Sequence, residues 1–80
     1  MNVLEIVRVG VVGGDMMDVH LSNGNILMLG FEPLLGESEF AILSEDDRIF
    51  YPKTDGTCVF WRGGPRLTIE EIFSWMGRTG

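Results

Sequence analysis

Asn23-Gly24 stands between two runs rich in apolar residues, and it is the strongest short-range signal for a β-hairpin in this chain. A two-residue turn between antiparallel strands needs positive φ at both turn positions, which Asn tolerates and Gly adopts freely. Such a turn fixes the register, with Ser22 opposite Asn25, Leu21 opposite Ile26, His20 opposite Leu27 and Val19 opposite Met28. Directly opposed residues share a face of the sheet. Val19, Leu21, Ile26 and Met28 are therefore expected to form one apolar core patch, with Leu27 and Leu29 on the other face beside His20 and Asp18.

The segments on either side read as material to extend and cover that patch. Val3 to Val12 is dense in β-branched residues and predicts a strand, with Glu5 and Arg8 as its only charges. A tight Gly13-Gly14 loop would put Arg8 on the core face, so a longer loop or a bulge is expected there. Pro33 can open a helical turn that Gly36 closes, and Phe31 to Leu43 reads as a packed, irregular connection. Ser44-Glu45-Asp46-Asp47 can cap a further short turn. Arg48 to Tyr51 and Thr57 to Trp61 flank Lys53-Thr54-Asp55-Gly56 and predict a second hairpin.

The C-terminal region has the clearest local grammar. Thr68 and Glu71 have the spacing of a capping box, and Leu67 and Ile72 that of a hydrophobic staple. Ile69, Ile72, Phe73 and Met76 fall on one face of a helix, and Gly77 is placed to end it. So short a helix is unstable alone in water and must dock on the sheet. Trp75 lies off the stripe, as an edge or contact residue. The expected fold is α+β, one domain spanning residues 1–80. It has a small antiparallel sheet of about five strands, made of an N-terminal three-stranded meander and a second hairpin, with the short C-terminal helix packed on it.

Composition narrows the function classes. An apolar share of 45% and a charged share of 22% are those of a globular chain. The single cysteine, Cys58, leaves no internal disulfide framework and reads as a small buried thiol. No apolar run is long enough to span a bilayer, and no basic region followed by an apolar stretch opens the chain, so a reducing cytoplasm is the expected setting. The formal net charge is −6, and Glu32, Glu37, Glu39, Glu45, Asp46 and Asp47 follow one another without an intervening base. That sign disfavours direct nucleic-acid binding, which depends on cations neutralising phosphates. From Arg48 onward the balance reverses, to five bases against three acids.

No catalytic constellation stands out. His20 is the only histidine, so no usual zinc set can be assembled and no cofactor is implied. Cys58 and His20 lie far apart with nothing to orient them as nucleophile and base. Gly10, Gly13 and Gly14 are not followed by a helix pattern and make no dinucleotide fingerprint. Arg62-Gly63-Gly64-Pro65-Arg66 joins two guanidinium groups to flexible backbone before a helix, an arrangement able to hold an anion but more simply read as loop punctuation.

Leu21-Ser22-Asn23-Gly24, then Phe31-Glu32-Pro33-Leu34-Leu35, then Phe40 with Leu43, and finally Trp61 through Phe73 follow one another along the chain. This order of motifs resembles family 2442 of the prokaryotic domains of unknown function. In the last segment Trp61, Gly64, Leu67, Glu70, Glu71, Ile72 and Phe73 match without a gap. Arg62, Arg66 and Ile69 depart from the proline, aspartate and proline common at those places. The resemblance implies a small bacterial α+β domain without an established activity, in a family sometimes fused to helix-turn-helix domains or encoded beside toxin-like proteins.

These readings converge on a non-catalytic protein-interaction domain rather than an enzyme, in a toxin–antitoxin-like pairing with a small basic protein. The alternative is a small-ligand-binding domain in which Trp61, Trp75 and Arg62 or Arg66 line an aromatic and arginine pocket. Because one helix covers only one face of a sheet, the outward Leu27 and Leu29 are expected at the interface of a symmetric homodimer.

Overall fold

β-Branched residues make Ile6–Val12 a strand, β1, as their density predicts, but it starts later than the expected Val3 to Val12: Leu4 and Glu5 precede it, and Val3 lies outside the described residues. The computed structural model describes residues 4–79, with side chains described for residues 4–75. Strands β2 (Met16–Leu21) and β3 (Ile26–Gly30) complete an antiparallel meander in the order β1-β2-β3. A short helix α1 (Phe31–Leu35) and a 3₁₀ segment (Ser38–Phe50) follow. Strands β4 (Lys53–Thr54), β5 (Cys58–Phe60) and β6 (Arg66–Thr68) form a second antiparallel sheet, and helix α2 (Ile69–Thr79) closes the chain. The architecture is α+β. Its strands are divided between two sheets of three rather than placed in one sheet of about five. The sheets meet where the Ile6 amide donates to the Gly56 carbonyl at 2.8 Å.

The first hairpin corrects the expected register by one residue. Val19 pairs with Leu27 and His20 with Ile26, and the loop is Ser22-Asn23-Gly24. The Gly24 amide donates to the Leu21 carbonyl at 3.0 Å and the Leu21 amide to the Asn25 carbonyl at 2.8 Å. Gly24 takes φ +89°, and Asn23 keeps a negative φ while its side chain accepts from the Asn25 amide at 3.0 Å. This is the three-residue loop in which a turn is followed by one left-handed glycine. The side-chain period along a strand is two, so a slip of one residue turns every side chain of β3 over. Leu27 and Leu29 are consequently buried (7% and 3% exposed) with Met17, Val19 and Leu21, while Ile26 and Met28 face outward.

Between β1 and β2 both expected devices occur together. Gly13-Gly14-Asp15 makes a three-residue loop with Val12 opposite Met16, and the register shifts between Ile6 and Arg8. The bulge lets Ile6 and Val9 share the core face while Arg8 stands beside His20 on the outer one.

Arg48 to Tyr51, expected as a strand, is the end of the 3₁₀ segment and its exit. The Tyr51 amide is taken by the Arg48 carbonyl at 3.0 Å, and Pro52 has no amide to offer a ladder. Ahead of it the chain kinks at Glu45, extended, and at Asp46 and Asp47, both left-handed with φ near +57° and +56°. Aspartate is among the few non-glycine residues that tolerate this region. Ser44 does not cap a following turn; its hydroxyl donates back to the Ala41 carbonyl at 2.9 Å.

The capping box of α2 is formed in both directions. The Thr68 amide donates to Glu71 Oε1 at 3.0 Å, and the Glu71 amide donates to Thr68 Oγ1 at 3.1 Å. Leu67 and Ile72 are fully buried, as the staple spacing requires. The buried face is nevertheless rotated from the expected stripe: Phe73 is 47% exposed, while Ile69 and Trp75 pack against the core on either side of Ile72. Successive helical residues turn by about 100°, so a face centred on Ile72 takes Ile69 and Trp75 at its margins and leaves Phe73 outside. Met76 lies outside the described side chains, and the helix continues past Gly77 to Thr79.

One hydrophobic cluster joins Met17, Val19, Leu27 and Leu29 of the first sheet to Val59, Trp61 and Leu67 of the second region through Leu34, Phe40, Leu43 and Ile72. Cys58 is buried as expected. No described helix is long and apolar enough to cross a membrane.

Candidate functional site

Two surfaces combine chemistry with exposure. The first is the outward face of the first sheet. By register it carries Arg8, Gly10 and Val12 from β1, Met16, Asp18 and His20 from β2, and Ile26 and Met28 from β3. His20 Nε2 donates to Asp18 Oδ2 at 2.7 Å. That hydrogen bond holds the Asp18 carboxyl below its ordinary pKa, against the burial that raises it, with help from the charges of His20 and Arg8. Asp18 leans over Gly10, where a Cβ would come within 2.8 Å of Oδ1. Ile26 is 53% and Met28 38% exposed beside this pair, with Val12 exposed at the far edge. The face holds a base paired with an acid but, by register, no hydroxyl or thiol for them to activate.

The second surface is a cleft of about 310 Å³ lined by Asp46, Arg48, Tyr51, Lys53 and Arg62. Local structure brings these residues together. The left-handed pair Asp46-Asp47 turns the chain so that Asp46 and Arg48 reach the same cleft, and Pro52 leads into the short strand that carries Lys53. Gly63, at φ +68°, lies so close to Arg48 that an added Cβ would sit 3.3 Å from Nη1. The left-handed backbone of the turn that presents Arg62 therefore favours glycine, and a side chain there would also press on the guanidinium.

The four residues expected at a ligand or partner site do not gather. Trp61 is 2% exposed and belongs to the core, where its indole donates to the Ile49 carbonyl. Arg62 lines the cleft. Arg66 turns to the other side of the loop, 3.5 Å from Asp55 Oδ2 and 5.5 Å above the Phe60 ring. Trp75 is half-buried against the rim of the core, near Glu37, Glu39 and Glu71. Leu27 and Leu29, expected at a dimer interface, are interior side chains of the first sheet. Arg48, Tyr51 and Lys53 are not singled out by the sequence as a site; the reversal of charge balance at Arg48 is the one signal that could have found them.

Asp55 has a structural task. Its Oδ1 accepts from the Thr57 amide at 3.0 Å, the Thr57 hydroxyl at 2.8 Å and the Cys58 amide at 3.2 Å, closing the turn between β4 and β5. The Thr57 amide, then its hydroxyl, hold the carboxyl down to about 2.

Among the described residues no group of three or more His, Cys, Asp or Glu side chains could hold a metal ion. No family model, no curated protein and no solved structure matches this chain.

Proposed function

We propose that this chain is a non-catalytic protein-interaction domain of the bacterial cytoplasm that docks through the outward face of its first sheet. The observation that carries the reading is the pair Ile26 and Met28, exposed on the side of β3 turned away from the core, beside the His20–Asp18 pair. A face with two large apolar side chains around a polar pair resembles the mixed character of protein interfaces more than an ordinary solvated surface. The arrangement of acid and base without a nucleophile also favours recognition over catalysis.

For the symmetric homodimer expected from the sequence we propose this face instead of Leu27 and Leu29, whose side chains are buried within the chain. A small basic protein is proposed as a further partner. The support is the acidic segment, whose Glu32, Glu37, Glu39, Glu45 and Asp47 are all exposed, together with the likeness to a family encoded beside toxin-like proteins. Light scattering tests the dimer: the wild-type chain is expected to scatter as a pair of copies, and Ile26→Glu with Met28→Glu as a folded single copy. A monomeric wild type at high micromolar concentration, together with no protein recovered by pull-down from the native host, would overturn the reading.

A further inference from the structure

The formal net charge is −6, yet three of the six lysine and arginine side chains, Arg48, Lys53 and Arg62, line the one cleft between the 3₁₀ segment and the turn after β5. Like charges brought into one concavity repel unless something neutralises them. Among the described residues the only carboxylate in the lining is Asp46, whose Oδ2 is 3.8 Å from Arg48 Nη2, beyond hydrogen-bond distance, on a side chain that is 80% exposed. The Arg48 side chain is 26% exposed, so its Nη groups are what it offers a ligand in the cleft; Nε is buried without an acceptor among the described residues.

We propose that the cleft binds the phosphate group of a small phosphate monoester. Charge selects the ligand class: three cations and one carboxylate leave an excess of two positive charges, whereas a phosphate monoester carries about −1.5 to −2 at neutral pH and a simple carboxylate only one negative charge. Two guanidinium forks match the several acceptor oxygens of a phosphate. The volume of about 310 Å³ is that of a site for a small molecule. Tyr51, 68% exposed in the same lining, offers a ring face to the organic part of the ligand. A long polyanion is disfavoured, since Glu45 and Asp47 are exposed on either side of Asp46 and would repel its continuation.

The test is an amide chemical-shift titration of the whole chain with inorganic phosphate, phenyl phosphate and phenol. Phosphate and phenyl phosphate are expected to shift amides within residues 46–53 and 61–63, and phenol to leave them in place. Arg62→Ala and Lys53→Ala, both at exposed positions, should each weaken phenyl phosphate by about tenfold or more, the effect of losing one charge-assisted hydrogen bond. Arg8→Ala removes the same charge from the first sheet and should leave the affinity unchanged. The proposal is overturned if neither phosphate probe shifts these amides, if phenol shifts them equally, or if Arg8→Ala weakens binding as much as Arg62→Ala. It is independent of the outward face, because a chain that fails to dimerise can still show the titration.

Discussion

The indole of Trp61 donates a hydrogen bond to the Ile49 carbonyl at 3.2 Å, and this contact fastens the 3₁₀ segment to the second sheet. The same ring meets Phe40 edge to face at 6.1 Å, so one side chain ties both ends of the segment to the core. Trp61→Phe keeps most of the apolar contact but leaves a buried carbonyl without its donor, and should cost about 1–3 kcal/mol. Trp61→Ala opens a cavity as well and should cost about 3–5 kcal/mol. Urea melts of the two variants check the order. A Phe variant as unstable as the Ala variant would show that the hydrogen bond, not the packing, dominates.

On α2 the losses should follow the rotated face. Ile72 is fully buried, and Ile72→Ala should cost about 2–5 kcal/mol. Phe73 is nearly half exposed, and Phe73→Ala should cost less than about 1 kcal/mol. Trp75→Ala should fall between them, because Trp75 packs on the margin of the core. Denaturant midpoints measured at equal slope give the comparison, and a larger loss at Phe73 than at Ile72 would contradict the observed face.

The three-residue loop makes different demands of its two central candidates. Gly24 is left-handed at φ +89°, so Gly24→Ala should cost about 1–2 kcal/mol. Asn23 has a negative φ and uses its side chain on the Asn25 amide, so Asn23→Gly should destabilise rather than help. In a two-residue turn with both positions left-handed, Asn23→Gly would be neutral or stabilising. Thermal melts of these two variants therefore read the register from solution.

Acid should weaken the second sheet through Asp55. Its folded pKa of about 2 lies below the ordinary 3.8, so the unfolded chain takes up the proton first. The stability it contributes is complete well above pH 3.8 and is lost as the pH falls through 3.8 towards about 2. Asp55→Asn should lower the melting temperature at neutral pH and flatten the melting curve's dependence on pH across that window. An unchanged acid dependence in the variant would assign the effect to other carboxylates.

Local chemistry by itself determined the elements whose signals act over a few residues. The capping box at Thr68 and Glu71, the helix after it, the valine-rich first strand, the meander, the bulge that spares Arg8 from the core and the buried Cys58 all follow from spacing and side-chain type. Tertiary structure decided what those signals leave degenerate. Asn23-Gly24 suits two loop lengths, and the three-residue form moved Leu27 and Leu29 inside and Ile26 and Met28 outside. The stripe on α2 admits a rotation, and docking around Ile72 chose Trp75 over Phe73 for its margin. Trp61 resembles a contact residue in sequence and becomes core only because the 3₁₀ segment folds over it. The cationic cleft depends on two left-handed aspartates and a left-handed glycine that bring Arg48, Lys53 and Arg62 together from separate segments. Such convergence has no period along the chain. It exists only once the core has set the path of the backbone.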